Sequence, residues 1–343
     1  MNAASLSNDQ SLSALLDRAL QARAGLFAAP YETAFRLFNG FLEARPDLAV
    51  DVYARTLVLY NYAEDITAGG ALASTALSLL LDRLPWIDSA LIKTRHSTLE
   101  QERRGVLVYG AAPARKVREH NVWYALDLTM NMDSSLYLDT RELRRWANDR
   151  LAGKRVLNTF AYTGSLGVAA AAGGAREVIQ VDRSRRFLNL AKDSYALNGF
   201  PVRRAEFLTG DFWTQMNQFK RAGQLFDCIF VDPPFFSVTS RGKVDLAGES
   251  QRVINKVRPL VGHYGWLVAI NNALFLSGAD YMNTLQELCA GGYMSIEEII
   301  PVSPDFAGFP ETRSGSPPVD PAPFNHSTKI AVLRVTRKDQ RAA

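Results

Sequence analysis

The sequence predicts an α/β fold: a doubly wound, mostly parallel sheet accompanied by a smaller α/β domain nearer the N-terminus. Two observations predict it. From Arg155 onward, short apolar, β-branched runs alternate with helical periodicities, the pattern of repeated βαβ units. Within that region Val156–Asp182, VLNTFAYTGSLGVAAAAGGAREVIQVD, reads as one complete β-turn-α-β unit with a carboxylate at the tip of its second strand.

The elements follow in chain order. Ser7–Ala28 is an amphipathic helix with Leu12, Leu15, Leu16, Ala19 and Leu20 on one side, and Ala29-Pro30 ends it. Asn39-Gly40 is a hairpin-turn dipeptide, with strands predicted over Leu48–Tyr53 and Val58–Tyr62, a helix over Ala71–Leu84 and a strand over Trp86–Lys93. Gly110–Pro113 reads as a linker. Lys116–Met130 alternates as a hairpin, with Val122, Tyr124, Leu126 and Leu128 on one face, and a basic helix runs over Arg141–Leu151. Arg155–Leu157 start the first strand of the large sheet. Asn158–Gly167 form a turn containing Gly164, and Val168–Ala172 begin a helix that Gly173 and Gly174 stop. Val178–Val181 lead to Asp182. A helix over Arg185–Leu197 and a strand over Ala205–Leu208 come next, then Gly210-Asp211 and a strand over Phe226–Val231. Gly248–Val261 and Tyr281–Ala290 read as helices, and Gly265–Ile270 and Ser295–Val302 as strands. Pro304–Pro323 is a proline-rich surface loop, and Thr328–Val335 is a last strand, expected as an antiparallel edge. The division expected is an N-terminal helix (1–29), a small α/β domain (30–112) suited to substrate docking, and the large domain (113–343) with its leading hairpin.

Composition narrows the class. The 343 residues are 47% hydrophobic and 22% charged, ordinary for a soluble α/β protein, and the net charge of +4 suits an anionic partner without requiring one. Two cysteines, Cys228 and Cys289, give no disulfide framework and fit a reducing compartment, and both read as small core residues. Four scattered histidines predict no metal site. The N-terminus lacks the basic start and apolar core of a signal peptide, and no apolar run approaches the roughly 20 residues that span a bilayer. A cytoplasmic protein is the expectation, and a homodimer is compatible with it.

The turn after the first large-sheet strand decides the cofactor class. Its glycines place backbone N–H groups near a ligand, and Asp182 is positioned to accept from ribose hydroxyls. A dinucleotide site needs G-x-G-x-x-G, whereas this chain has Tyr162-x-Gly164-x-x-Gly167, which weakens the NAD reading; a structural turn without ligand is the bland alternative. Three more strand ends tip the balance, because carboxyl ends of parallel strands line the ligand crevice. Asp182 ends strand two, Asp211 beside Phe212 ends strand three and suits an adenine amino group, and Asp232-Pro233-Pro234-Phe235 follows strand four. Asp-Pro-Pro is a legitimate strand stop. It is also a functional arrangement: two prolines fix a carbonyl toward a target, and an aromatic ring offers a stacking face for a flat base.

These residues resemble class I S-adenosylmethionine-dependent methyltransferases. The chain is more closely similar to the bacterial large-subunit ribosomal RNA methyltransferases that include cytosine-5 and guanine-N7 enzymes. The resemblance runs from about residue 34 to 336 through FRLFNGFLEARPDLAVDVYA, Glu119-His120-Asn121, Tyr137-Leu138-Asp139-x-Arg141, VLNTFAYTGSLG, DPPFFS and NHSTKIAVLRV. It implies a Rossmann-like, seven-stranded methyltransferase sheet with S-adenosylmethionine as cofactor. Tyr137 and Arg141, with Asn158, Phe160, Tyr162, Thr163 and Gly164, would surround its amino-acid end; Asp182, Arg183, Asp211, Phe212 and Asp232 complete the cofactor set. Asp232, Pro233, Pro234, Phe235 and Asn271 would position the acceptor base.

Two departures bear on the acceptor. Many relatives begin with a PUA-type RNA-binding domain, where this chain begins with a short helix. Cytosine-5 members carry a cysteine after the fifth strand, because methylating a ring carbon needs a thiolate adduct; here the position reads Ile270-Asn271-Asn272-Ala273. A guanine nitrogen has an in-plane lone pair and needs no such adduct. The expected function is therefore methylation of a guanine nitrogen in ribosomal RNA, in one in-line displacement that leaves S-adenosylhomocysteine. The alternatives are a small planar metabolite or protein side chain as acceptor, or a non-catalytic RNA-binding scaffold. Arg183, Arg185, Arg186, Arg203, Arg204, Arg241 and Lys243 are candidate phosphate contacts or solvated faces. Ser237–Lys243 reads as a substrate loop, His326 as a solvated or loop-bracing residue with reach to the site as the alternative, and Glu119-His120 as hairpin structure with acid–base chemistry as the alternative.

Overall fold

A computed structural model describes residues 11–234, 237–239, 242–244 and 250–338; Phe235 and Arg241, both singled out above, lie outside them, as does the side chain of Lys243. The chain forms two compact units. One comprises Met1–Val117, Leu128–Ser134 and Pro304–Ser316, the other Arg118–Asp127, Ser135–Ser303 and Pro317–Ala343. Two segments beyond the expected boundary at residue 112 thus return to the first unit.

In the smaller unit, α1 (Leu12–Ala22) precedes β1 (Ala34–Asn39), β2 (Leu48–Tyr53) and β3 (Thr56–Asn61). Then come α2 (Ile66–Arg83), β4 (Ser89–Thr94), α3 (Glu100–Arg104) and β5 (Val106–Tyr109), with the sheet ordered β1-β2-β3-β4-β5. Leu15, Leu16 and Ala19 of α1 and Ala73, Ala76 and Leu80 of α2 share one core with Phe35, Leu37, Val50, Leu57 and Leu59 of the sheet. The tight two-residue turn is Ala54-Arg55, joining β2 to β3, with Ala54 at φ 52°. Asn39-Gly40 instead opens a longer turn, since Asn39 N donates to Glu43 Oε2 at 2.6 Å and its Nδ2 to Phe306 O at 2.8 Å. The stretch from Pro304 is likewise not a plain surface loop. Asp305 is buried, and its Oδ2 accepts from Arg36 N at 2.9 Å while its carbonyl accepts from the buried Arg23.

The hairpin β6 (Lys116–Glu119) and β7 (Val122–Ala125) enters the larger unit at Arg118, and the predicted apolar face, Val122, Tyr124, Leu126 and Leu128, is buried. Next are α4 (Arg141–Arg150), β8 (Arg155–Thr159), α5 (Ser165–Ala172), β9 (Glu177–Asp182), α6 (Arg185–Leu197), β10 (Phe207–Thr209), α7 (Phe212–Arg221) and β11 (Phe226–Val231). A short hairpin, β12 (Ser237–Thr239) and β13 (Gly242–Val244), precedes α8 (Ser250–Val257), β14 (Val261–Asn271), α9 (Gly278–Cys289), β15 (Met294–Ile299) and β16 (Lys329–Val335). The seven-stranded sheet runs β10-β9-β8-β11-β14-β16-β15. The five strands from β10 to β14 in that order are parallel, and β16 is antiparallel to both neighbours. The last strand is therefore inserted inside the sheet rather than at its edge. Its residues are almost all buried, which requires partners on both sides, whereas β15 is more exposed and takes the edge.

Alternate strand residues feed opposite faces. Leu157, Ile179, Val231 and Leu267 enter one core, and Val156, Val178, Phe230 and Val268 the other. Helix α5 begins at Ser165, three residues before the predicted start, because Gly164 at φ 76° reverses the chain into it. Helix α7, which the sequence pattern does not announce, buries Phe212, Met216 and Phe219.

Candidate active site

The strand order reverses direction between β8 and β11, the switch point at which doubly wound sheets open a crevice beyond their carboxyl ends. Around it stand the turn after β8, Asp182 at the end of β9, Asp211 after β10, Asp232 after β11 and Asn271 closing β14.

The turn after β8 is held under strain. Phe160 and Tyr162 both lie at φ 52°, a region that bulky side chains avoid. Two anchors hold them. Ala161 N donates to Val181 O at 2.9 Å, and Tyr162 N donates to Asp182 Oδ2 at 2.8 Å. Aromatic contacts complete the clamp: Phe160 stacks on Phe212 at 4.5 Å between centroids, and Tyr162 sits against Phe187 at 4.6 Å and Tyr137 at 5.1 Å. Tyr137 is exposed on its outer side.

Asp182 thus has a structural duty alongside the expected ribose contact. Its Oδ1 accepts from Ser184 N at 2.8 Å, so each oxygen takes a backbone donor. A carboxylate offers about four lone-pair sites, which leaves capacity for a ligand. Burial raises its pKa, and the backbone donors of Ser184, Tyr162 and Arg183 oppose that rise.

Several of the residues singled out in the sequence also serve the scaffold. Gly164 and Gly167 are small because Gln180 lies beneath them: an added Cβ would fall 2.5 Å from Gln180 Oε1 at Gly164 and 2.6 Å from its Cδ at Gly167. They allow close approach of helix and strand. Buried Asn158 donates from Nδ2 to Gln180 Oε1 at 3.3 Å, and buried Thr163 donates to the Ser135 carbonyl. Asp211 caps α7, its Oδ1 accepting from Thr214 N at 3.2 Å, and Phe212 belongs to the core. Asn271 is buried with its amide bonded at both ends, Nδ2 to Ser250 Oγ at 3.0 Å and Oδ1 from Ala273 N at 3.0 Å. That bonding ties the end of β14 to α8 and to its own following turn. Arg183 is exposed; Arg186 pairs with Asp127 at 2.9 Å and Arg203 with Glu206 at 3.0 Å. His326 Nδ1 accepts from Thr328 N at 3.0 Å, a loop brace.

Sequence reasoning missed the buried pair that supports this face. Arg144 reaches Glu119 with two bonds, 2.7 and 3.0 Å, and donates from Nη1 to Tyr137 O at 2.7 Å and Thr140 Oγ1 at 2.8 Å. Arg141 lies 3.7 Å from the same carboxylate and donates to Ser303 Oγ at 3.4 Å. Glu119 is therefore hairpin structure that also fixes the Tyr137–Arg141 segment. The two arginines at i and i+3 on a predicted helix were the available signal.

At the end of β11, Pro233 is buried and Pro234 exposed, so the turn is rigid on one side and open on the other. Burial, and then the charge of Asp139, push the Asp232 carboxyl up to about 7. A raised folded-state pKa means that stability is greatest at low pH and is lost as pH rises through about 7. Asp232→Asn is therefore expected to be more stable than the parent at pH 8, with no difference near pH 4. Infrared titration is expected to show a protonated-carboxyl band fading between about pH 6 and 8 in the parent and missing in the variant. An unchanged band would discard the assignment.

Does this site suit a sulfonium-bearing nucleoside? Asp139 Oδ1 is buried without a partner among the described residues, an acceptor that a cationic ligand satisfies. With Asp182 and Asp232 half buried at strand ends on either side of β8, the residues fit. Among the described residues no group of three or more His, Cys, Asp or Glu is placed to hold a metal ion, and no helix is long and apolar enough to cross a membrane.

Comparison with known proteins agrees with this geometry. The S-adenosylmethionine-dependent methyltransferase family matches residues 107–308. Ribosomal RNA large subunit methyltransferase K/L of Shewanella frigidimarina is 31% identical over 277 residues, 74% of this chain and 37% of that protein. Ribosomal RNA large subunit methyltransferase I of Aeromonas hydrophila is 32% identical over 225 residues, 65% of this chain and 56% of that protein. The chain thus spans only 37% and 56% of the length of these two relatives. SMU.776, crystallised in complex with SAH (S-adenosylhomocysteine), superposes with a TM-score of 0.80 at 20% identity, over 94% of this chain and 80% of that one. The family match covers more than half of the sequence, and the fold and strand-end acids accord with it: the chain belongs to the S-adenosylmethionine-dependent methyltransferases.

Proposed function

We propose that this methyltransferase modifies a guanine nitrogen of large-subunit ribosomal RNA. The observation that carries this reading is the Asp232-Pro233-Pro234 turn, half buried and rigid, at the switch point of the sheet. Such a turn orients a planar nitrogen heterocycle by hydrogen bonding, and the cofactor supplies an electrophilic methyl group. The names of the two relatives support RNA as acceptor. Ring-carbon methylation is disfavoured because neither cysteine is a usable nucleophile there. Cys228 is buried inside β11 with its thiol pushed up by burial, and Cys289 ends α9.

The loop after β14 supports a flat acceptor as well. Ala273 is buried and anchored, its carbonyl accepting from Lys329 Nζ at 3.0 Å, while the next two residues, Leu274 and Phe275, are 53% and 74% exposed. An apolar tip on a fixed base, at the end of the strand next to β11, offers a stacking surface worth roughly 1–3 kcal/mol per base. Phe275→Ala is thus expected to raise KM for RNA about 5- to 100-fold while cofactor affinity stays the same. An unchanged KM would remove Phe275 from the acceptor site.

The test of the function is nucleoside mass spectrometry of ribosomal RNA from cells with and without the gene. Loss of one methylguanosine, restored when the purified protein is added to the deficient RNA, is the expected result. No methyl incorporation into that RNA, with turnover on small planar acceptors, would sink it.

A further inference from the structure

Asp139, between the hairpin and α4, has a divided carboxyl. Its Oδ2 accepts from Thr328 Oγ1 at 2.7 Å, and its Oδ1 is buried with no partner among the described residues. Its charge opposes the ionisation of Asp232, which in turn acts on the hydroxyl of buried Tyr281 from α9. These interactions link two carboxyls, a phenol and a threonine hydroxyl. Neither carboxyl makes an ion pair among the described residues. Two acids held together without a cation are poorly matched to each other and well matched to a positively charged ligand.

We infer that Asp139 is the acceptor for the α-ammonium group of the cofactor, its free Oδ1 taking an N–H and its charge, with that of Asp232, balancing the cation. The ammonium is the partner rather than the sulfonium because an orphaned oxygen needs a donor, and a sulfonium carries no N–H or O–H. Asp139 is also two residues from Tyr137 and two from Arg141, the segment that Arg144 and Glu119 hold in place. Filling the site with a cation favours the ionised form of Asp232, whose proton then goes to solvent. The inference depends on the family's cofactor and is independent of the acceptor proposed above.

Calorimetry at pH 7 with S-adenosylhomocysteine and with 5′-methylthioadenosine, which lacks the amino-acid part, separates the possibilities. In Asp139→Ala, affinity for S-adenosylhomocysteine is expected to fall about 10- to 100-fold, as for loss of a charge-assisted bond, while methylthioadenosine binds within about twofold of the parent. In the parent, the heat of S-adenosylhomocysteine binding should vary with the ionisation enthalpy of the buffer, reporting a fraction of a proton released, and Asp232→Asn should abolish that dependence. If thermal unfolding shows that the alanine variant is not folded, the isosteric Asp139→Asn carries the same expectation. Equal losses for both ligands, or a loss below about twofold for S-adenosylhomocysteine, overturn the assignment. A parent protein that binds neither ligand overturns it together with the cofactor.

Discussion

Replacing Arg144 by methionine is expected to destabilise the larger unit by about 3–5 kcal/mol, the usual cost of leaving one member of a buried ion pair behind. Arg144 and Glu119 are almost completely inaccessible, at 0% and 4% exposure, so the stranded carboxylate has no water to turn to. The variant also loses the donor to Tyr137 O at 2.7 Å, which orients the segment carrying Tyr137, Asp139 and Arg141. Urea unfolding measures the first effect, and calorimetric titration of the cofactor the second. In the double variant Glu119→Leu/Arg144→Met no lone charge remains, so most of the stability should return while cofactor affinity stays low. A single variant within about 1 kcal/mol of the parent would mean that the pair does not carry this support.

Asp182→Ala is expected to reduce cofactor affinity at least about 100-fold. The carboxylate accepts from Tyr162 N and Ser184 N, both at 2.8 Å, and bonds to a charged acceptor contribute about 1.5–3 kcal/mol each. Without it, only the Ala161 N–Val181 O bond and the aromatic contacts remain to hold the left-handed backbone at Tyr162, whose strain is of order 1–3 kcal/mol. The turn relaxes, and the ribose contact is lost with it. Asp182→Asn keeps one acceptor and should fall between alanine and the parent in a calorimetric titration with S-adenosylmethionine. An alanine variant that binds within about threefold of the parent would show that neither the clamp nor the ribose contact matters.

Much of the sheet is legible in the sequence because its strands are short and continuously apolar. Phe226–Val231 and the helix Arg185–Leu197 match their predicted bounds, since Asp232-Pro233-Pro234 and Asn198-Gly199 stop them locally. Helix α7 is not legible, because its buried positions, Phe212, Met216 and Phe219, are interleaved with polar residues and its cap, Asp211, has the look of a ligand contact. The site divides in the same way. Strand-end acids announce themselves by position, whereas Gln180 under Gly164 and Gly167, Arg144 against Glu119, and the buried Lys329 depend on partners far along the chain.

By itself, the sequence determined the class of fold, the cofactor family and the acids at the strand ends, all of which follow from local pattern and from motif order. Only the tertiary structure decided that the last strand is inserted between β14 and β15, a choice made by burial on both of its edges. It also decided which polar residues are occupied. Asn271, Asn158 and Asp211 each bond the scaffold, and Asp139 keeps an oxygen free among the described residues. Whether a side chain is committed or available depends on what lies across from it in space, which neighbours in sequence do not encode.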